Sequence, residues 1–268
     1  MKRSKWDQRI ERTEELARTY SFAAQILRFY KHVVILQQEF YACLGGANGS
    51  RASKRRSHLF DEELDFEFLI PKFPEFLSRI ETVSPEPIMQ AARSLKAQGS
   101  STRAEILSSH WRHDHHIDPR PESTLVRTFL QPYAEFIADH SDCADHSEAV
   151  GVCPFCNGKP AVGVLRPEGD GGKRSLICSL CFTEWKYGRI RCVACGEEAV
   201  DKLAVYTAEQ FPQVRVEACD TCHRYIKTMD LTKNGLAVPI VDELASLPLN
   251  LWAQEHQYVK LQPNILGI

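Results

Sequence analysis

Eight cysteines between Cys153 and Cys222 stand in four Cys-x-x-Cys pairs: Cys153/Cys156, Cys178/Cys181, Cys192/Cys195 and Cys219/Cys222. Two thiolates separated by two residues can converge on one ion from a tight turn. Two such knuckles then supply the four sulfurs of a closed tetrahedral site. Eight thiols therefore predict two metal ions. The competing reading is disulfide or dithiol redox chemistry, because Cys-x-x-Cys is also the thioredoxin-type motif. A closed tetrathiolate is most often structural and by itself indicates no catalysis.

The elements that would position these sulfurs can be read from the loops. The first two pairs are separated by 21 residues and the last two by 23, whereas only 10 separate Cys181 from Cys192. A loop of about twenty residues suits a ribbon-type site, with a hairpin between the knuckles. Ala161 to Arg166 and Lys173 to Ile177 read as strands around a turn at Gly169 to Gly172. Ala199 to Tyr206 and Gln213 to Ala218 bracket a second turn near Phe211 and Pro212. Trp185 and Lys186 follow Cys181 much as Tyr225 and Lys227 follow Cys222, which suggests an internal duplication. Site one is assigned to Cys153, Cys156, Cys178 and Cys181, and site two to Cys192, Cys195, Cys219 and Cys222. A cross-braced arrangement, pairing the first knuckle with the third and the second with the fourth, is the alternative.

The 150 residues before the knuckles read as helix. From Trp6 to Phe40 apolar side chains recur at three- and four-residue steps, as one helix or as two with a break near Tyr20 and Ser21. Leu44 to Ser50 ends this stretch. Arg51 to Arg56 and the acidic Asp61 to Asp65 read as a solvated loop. Further helices are expected from a Ser84 cap, from Ser101 or Thr102, and from Ser123 or Thr124, the last with a kink at Pro132. His110, His113, His115 and His116 form a surface cluster, with no carboxylate pattern that would make it a metal site. Asp139 to Val150 serves as a linker. After the ribbons, Thr232 to Gly235 is a turn, Val241 to Leu247 and Leu251 to Gln257 are short helices, and the apolar tail packs back on the rest.

The expected architecture is α+β. A helical N-terminal domain at 1–145 precedes two tandem metal modules of the zinc-ribbon type at 151–190 and 191–238, and a short C-terminal helical tail occupies 239–268. The 268 residues, 43% of them hydrophobic, with a mean hydropathy of −0.31, suit a chain with a real core. Met1 to Tyr20 has no apolar leader region and no later run approaches the ~20 residues needed to span a bilayer. A cytoplasmic protein with no membrane insertion is expected, and a reducing compartment favours metal over disulfides. Cys43 and Cys143, outside the pattern, read as small apolar side chains.

Charge separates the remaining function classes. From Gly151 onward 13 Lys and Arg balance 13 Asp and Glu, and each tetrathiolate adds about −2 with a divalent ion or about −1 with a ferric ion. A nucleic-acid ribbon needs a basic surface, so nucleic acid is not expected as a partner. No Gly-rich phosphate loop, nucleophile elbow or His-Glu-x-x-His is present, which points away from an enzyme. An accessory factor, a zinc-ribbon nucleic-acid-binding protein and a rubredoxin-like redox or electron-transfer protein are the classes in contention.

The chain resembles the FdhE family, bacterial accessory proteins of formate dehydrogenase. The matching stretches are Trp6-Asp-Gln-Arg-Ile-Glu-Arg, Ile26-Leu-Arg-Phe-Tyr, Cys153-Pro-Phe-Cys, Cys178-Ser-Leu-Cys-Phe-Thr-Glu-Trp185, Arg189-Ile-Arg-Cys-Val-Ala-Cys-Gly196, Glu217-Ala-Cys-Asp-Thr-Cys-His-Arg-Tyr-Ile-Lys227 and Asp242-Glu-Leu-Ala-Ser-Leu-Pro-Leu. The resemblance implies two rubredoxin-like modules that hold iron through the eight cysteines, with zinc as the alternative. It also implies a cytoplasmic chaperone-like maturation factor that binds the catalytic subunit of a respiratory formate dehydrogenase without turning over formate. A homodimer is compatible with it. One departure is visible: such modules often read Cys-Pro-x-Cys-Gly, whereas Asn157 precedes Gly158 here. Trp185, Arg189 and Arg191 are candidate partner-binding residues, Trp185 being the kind of side chain that more often packs in a core. The acidic pair Asp242 and Glu243 looks like the family's tail.

Overall fold

The computed structural model describes residues 3–46, 64–113, 120–141, 151–169 and 171–268. The basic run 51–56, most of the acidic run after it, His115, His116, Cys143 and residues 142–150 of the expected linker lie outside the described residues.

Six helices form the first layer: α1 (Lys5–Thr19), α2 (Ala24–Gly46), α3 (Phe66–Glu81), α4 (Glu86–Ala97), α5 (Ser100–His113) and α6 (Pro121–Asp139). Ser4 opens α1 with a reciprocal capping box to Asp7, satisfying backbone N–H groups at the start of the helix. The expected break falls at Tyr20, before a 3₁₀ turn at Ser21–Ala23. Helix α6 is buried from Ser123 to Ile137, so it is the axis around which α2, α3, α4 and α5 pack.

Helix α3 forms despite Pro71 and Pro74 in its interior. Asp65 caps it, accepting from the Phe68 N–H at 3.0 Å. Leu69, Phe73, Phe76, Leu77 and Ile80 are buried along one stripe. Phe73 and Phe76 close on Phe129 of α6 at 4.8 and 5.4 Å. Burial at about 1.5–3 kcal/mol for each of five side chains outweighs about 3 kcal/mol for each of two prolines.

Three expected caps are corrected. The Ser84 hydroxyl donates to the Ile80 carbonyl at 2.7 Å, ending α3 rather than capping α4. Ser101 and Thr102 lie inside α5. Ser123 and Thr124 lie inside α6, which starts at Pro121 after Arg120. In the last case a proline whose φ is already helical starts the helix two residues before the hydroxyl could.

The second layer is one sheet built from β1 (Pro160–Glu168), β2 (Gly171–Cys178), β3 (Glu184–Lys186), β4 (Leu203–Thr207), β5 (Val214–Cys219), β6 (Arg224–Asp230) and the two-residue β7 (Val259–Lys260). Its order is β3-β2-β1-β6-β5-β4, with β7 also on β6. Each ribbon is an antiparallel three-strand unit, and a parallel pairing of Gly163 with Thr228 through Leu165 with Asp230 fuses the two. Gly163 makes the fusion possible, because a Cβ there would lie 3.2 Å from Thr228 Cβ and closer still to its Oγ1.

Two short helices, α7 (Pro239–Ala245) and α8 (Leu247–Glu255), follow the sheet. The tail packs back, with Ile265 buried and its carbonyl accepting from Thr128 of α6 at 3.3 Å.

Buried ions tie the layers together, and Asp242 and Glu243 of the family-like tail are among them. Both are about 1% exposed. Asp242 accepts a two-pronged contact from Arg12 of α1 at 2.9 and 2.6 Å. Glu243 takes Lys227 of β6 at 2.9 Å and Lys260 at 2.5 Å. Burial opposes the Glu243 charge, but the two lysines outweigh it and bring the carboxyl down to about 2. Burial brings the Lys227 ammonium down to about 8. Both groups are therefore ionised near neutral pH, which is what a fully desolvated pair requires.

Candidate metal centres

The four knuckles share one backbone design. In three of them the N–H of the first cysteine donates to the carbonyl five residues on: Cys153 to Gly158 at 2.8 Å, Cys178 to Thr183 at 3.0 Å and Cys192 to Glu197 at 2.8 Å. In all four the residue after the second cysteine has positive φ: Asn157 at 54°, Phe182 at 56°, Gly196 at 79° and His223 at 54°. That left-handed residue turns the chain so that both sulfurs point to one centre. Asn and Gly adopt it readily, whereas Phe and His do so at a cost of about 1 kcal/mol or more. Asn157, the departure from Cys-Pro-x-Cys-Gly, is thus a residue type that the turn accepts.

Each cluster joins the knuckle that precedes a hairpin to the one at its far end. Cys178 ends β2 and Cys219 ends β5, so the hairpins return the chain to the first knuckle. In cluster one the sulfurs of Cys153 and Cys181 are 3.6 Å apart, those of Cys156 and Cys178 3.2 Å, and those of Cys156 and Cys181 3.5 Å. In cluster two Cys192 lies 3.7 Å from Cys222, and Cys195 lies 3.7 Å from Cys219. A tetrahedral ion with metal–sulfur bonds of about 2.3 Å places its sulfurs about 3.8 Å apart, so both clusters fit one ion each with small adjustment. Among the described residues these two clusters are the groups able to hold a metal ion.

The electrostatics suit a cation. Cys156 is pushed up first by donating its proton to Cys153 and Cys178, and Cys181 first by burial. Burial also opposes the Cys178 charge, but the neighbouring thiols and the Leu180 N–H, 3.3 Å from its sulfur, hold it below the usual thiol range. Cluster two repeats the pattern, with Cys219 held low and Cys192 and Cys222 pushed up. One sulfur in each cluster holds charge at its neighbours' expense, and only a cation lets all four ionise together.

The clusters differ in access. All four cysteines of cluster one are buried, whereas Cys195 is exposed and Cys222 half-buried. The Cys156 and Cys178 sulfurs also lie against Gly158, where a Cβ would sit 3.2 Å from both.

The other candidate residues fall in different places. Trp185, opposite Leu176 in β3, is buried in the core and offers little surface to a partner. Arg189 is exposed and Arg191 half-buried, with Arg191 3.5 Å from Glu198. Cys43 is exposed on α2 rather than packed. His110 turns Nδ1 to its own helix, 2.9 Å from the Ile106 carbonyl.

Sequence reasoning did not find the residue that seats cluster one on the helices. Phe182, in the left-handed knuckle position, lies 4.8 Å from the Arg9 guanidinium, and the Trp6 ring also contacts it at 4.6 Å. Arg9 is in turn held by Glu135 of α6 at 3.0 and 2.6 Å. The available signal was an aromatic residue where the knuckle prefers Gly or Asn.

Two fused ribbons, each carrying a four-sulfur cluster and both seated on a helical layer, define a tandem metal-ribbon protein. A family model described as FdhE, central domain, matches residues 152–189, and one described as FdhE, C-terminal domain, matches residues 190–266. A relative named protein FdhE homolog, from Aquifex aeolicus, is 30% identical over 259 residues, covering 96% of this chain and 91% of that protein. The FdhE homolog of Rhizobium meliloti is 35% identical over 122 residues, 44% of this chain and 40% of its own length. In fold, the chain is similar to the crystal structure of the FdhE protein from Pseudomonas aeruginosa, with a TM-score of 0.72 at 24% identity over 99% of this chain and 97% of that one. The chain belongs to the FdhE family. No helix among the described residues is long and apolar enough to cross a membrane.

Proposed function

We propose that this protein is a formate dehydrogenase formation factor that binds the catalytic subunit of a respiratory formate dehydrogenase in the cytoplasm and is needed for that enzyme's activity, without oxidising formate itself. The observation that carries the reading is membership of the FdhE family across nearly the whole chain. The eight cysteines of the two clusters are proposed as the metal ligands. Iron is the favoured ion and zinc the alternative. Four thiolates around iron would supply a one-electron couple, which zinc lacks. The chain's own residues hold the surface in shape: the knuckles fix the ribbon ends, Arg174 spans from β2 to Glu217 of β5 at 2.5 Å, Arg9 joins the Cys178/Cys181 knuckle to α6, and Arg12 joins α1 to α7.

Anaerobic affinity purification from the native host grown on formate tests the proposal, together with formate oxidation in a deletion strain. Recovery of the catalytic subunit and lost activity in the deletion are expected; no recovered subunit with normal oxidation would sink the reading. Metal analysis of the anaerobically purified protein is expected to give iron, with a thiolate-to-iron absorption that bleaches on reduction. A colourless zinc protein would assign the alternative ion.

A further inference from the structure

We infer that the trough over the joint between the two ribbons is a docking groove for an extended, acidic and apolar segment of a partner protein. Naming that partner as the formate dehydrogenase subunit rests on the function proposed above; the chemistry of the groove does not.

The groove lies on one face of the fused sheet. Leu165 of β1, Ile226 of β6, Val205 of β4 and the 189–194 loop line a cavity of about 390 Å³. It adjoins a second cavity of about 670 Å³ beside Cys195 and Cys222, and Arg191 and Arg224 line both. The lining holds Arg174, Arg189, Arg191, Arg215 and Arg224 against one carboxylate, Glu217, with Lys159 added in the second cavity.

Three of these cations are already matched, Arg174 by Glu217, Arg215 by Asp230 and Arg191 by Glu198, which leaves Arg189, Arg224 and Lys159 to set the charge of the lining. A divalent ion in cluster two would leave its thiolates with a charge of about −2 nearby. A cationic surplus still remains. Residues 151–268 are formally neutral, so the surplus reflects segregation of charge onto this face. Arg189 is exposed and makes no ion pair among the described residues.

Apolar side chains alternate with those cations. Ile190, Val200 and Val205 are 57%, 69% and 56% exposed around the same trough. Isolated exposed apolar residues are ordinary, but three converging on one groove mark a binding face. Strand β4 also ends the sheet: among the described residues it pairs with β5 alone. An open edge beside a groove accepts an added strand, whose backbone supplies the hydrogen bonds and whose alternate side chains enter the trough. Carboxylates on that segment meet the arginines and apolar residues meet Val200 and Val205. Single-stranded nucleic acid fits less well. Its bases need exposed aromatic faces, and Tyr225 and Tyr187 are the aromatics of the lining and are 2% and 6% exposed.

The test uses the full-length, metal-loaded protein and fluorescence anisotropy with a labelled eight-residue peptide of alternating glutamate and valine. A lysine–valine peptide and octauridylate serve as the competing probes. The glutamate–valine peptide is expected to bind. Affinity should fall about tenfold or more in Arg189→Glu/Arg224→Glu, in Val200→Ser/Val205→Ser, and between about 0.05 M and about 0.5 M salt. Val83→Ser, exposed after α3 in the helical layer, should bind as the parent does. Circular dichroism and metal stoichiometry establish that each variant is folded.

Equal binding of the lysine–valine peptide, binding of octauridylate in place of the acidic peptide, or acidic-peptide binding indifferent to both groove variants would overturn the proposal. Capture of the catalytic subunit separates this proposal from the function. Capture that survives Arg189→Glu/Arg224→Glu, with no peptide binding, overturns the groove and leaves the function standing. Peptide binding without capture by the parent protein supports the groove and overturns the choice of client.

Discussion

The two four-sulfur clusters are built from the same knuckle and differ in what surrounds it. Cluster one is fully buried, and its Phe182 is clamped against Arg9 of the helical layer. Cluster two leaves Cys195 exposed, and the equivalent knuckle residue, His223, faces solvent. The lysines after the second knuckles diverge in the opposite sense: Lys186 is exposed on an edge strand, whereas Lys227 is fully buried at the joint. Two ribbons of one design therefore serve different tasks. The first ribbon anchors at its metal end and the second at its strand end, which leaves the second cluster beside the open groove.

The largest test of that division is removal of one knuckle at a time. Cys153→Ser with Cys156→Ser takes two ligands from the cluster seated on the helices. Structural tetrathiolate sites contribute about 10 kcal/mol or more of folding free energy, comparable to the whole stability of a domain. This variant is expected to lose one ion and unfold or melt far below the parent. Cys192→Ser with Cys195→Ser should lose the other ion yet keep the helical layer and cluster one folded, with a smaller fall in melting temperature. A chelator should likewise remove the ion of cluster two first. Metal stoichiometry and thermal unfolding measure both, and equal losses from the two double variants would erase the proposed asymmetry.

The strand-end anchor can be attacked at Lys227. Lys227→Met leaves Glu243 buried with Lys260 as its remaining cation, which should cost about 3 kcal/mol. pH provides a second handle. Glu243 titrates near 2 in the folded chain against 4.5 when free. Between those values the unfolded chain binds the extra proton, so this group's stabilisation is complete above pH 4.5 and is lost as pH falls toward 2. Its full worth is about 3 kcal/mol. The stability gap between the parent and Glu243→Gln, measured by denaturant titration, should therefore shrink below pH 4.5, whereas a constant gap would mean that the carboxyl's charge is not what stabilises the joint.

How much of this was legible follows from where each signal lies in the chain. The knuckles, both hairpins and the break at Tyr20 depend on residues close in sequence, where spacing and turn chemistry act locally. Helix α3 is masked by Pro71 and Pro74, and only the Phe73 and Phe76 contacts to Phe129, some fifty residues away, overrule them. Asp242 and Glu243 carry no local sign of burial, because Arg12, Lys227 and Lys260, their partners, are brought to them only by the fold. The fusion of β1 to β6 has no periodic signature, since parallel pairing of distant strands depends on topology. Its one local trace is Gly163.

That glycine yields the next smaller effect. Gly163→Ala should push β1 away from Thr228 and cost about 1–3 kcal/mol, the usual penalty of overpacking. Thr228→Ala removes the nearest obstructing atom, Oγ1, and Cγ2 while keeping Cβ, so Gly163→Ala should cost less in that background. A double-mutant cycle by denaturant unfolding measures the coupling. Additive costs would show that the ribbons are not pressed together at this point.

The smallest effects lie in the left-handed knuckle residues and sharpen the comparison between the ribbons most directly. Glycine at a positive φ relieves side-chain strain but adds freedom to the unfolded chain. At His223, which is exposed, relief should dominate, and His223→Gly should stabilise by a few tenths to about 1 kcal/mol. At Phe182 the same relief is offset by loss of the cover over Arg9, a cation–π contact worth about 0.5–2 kcal/mol together with the ring's own burial. Phe182→Gly should therefore destabilise. It should also expose the Arg9 and Glu135 pair to water, so that its cost grows least when Arg9→Met is already present. Opposite signs for the two glycine substitutions, read from urea midpoints of metal-loaded protein, would establish that one knuckle is a turn and the other a turn that also anchors. Equal signs would mean that the Phe182 contact adds nothing beyond the shape of the loop.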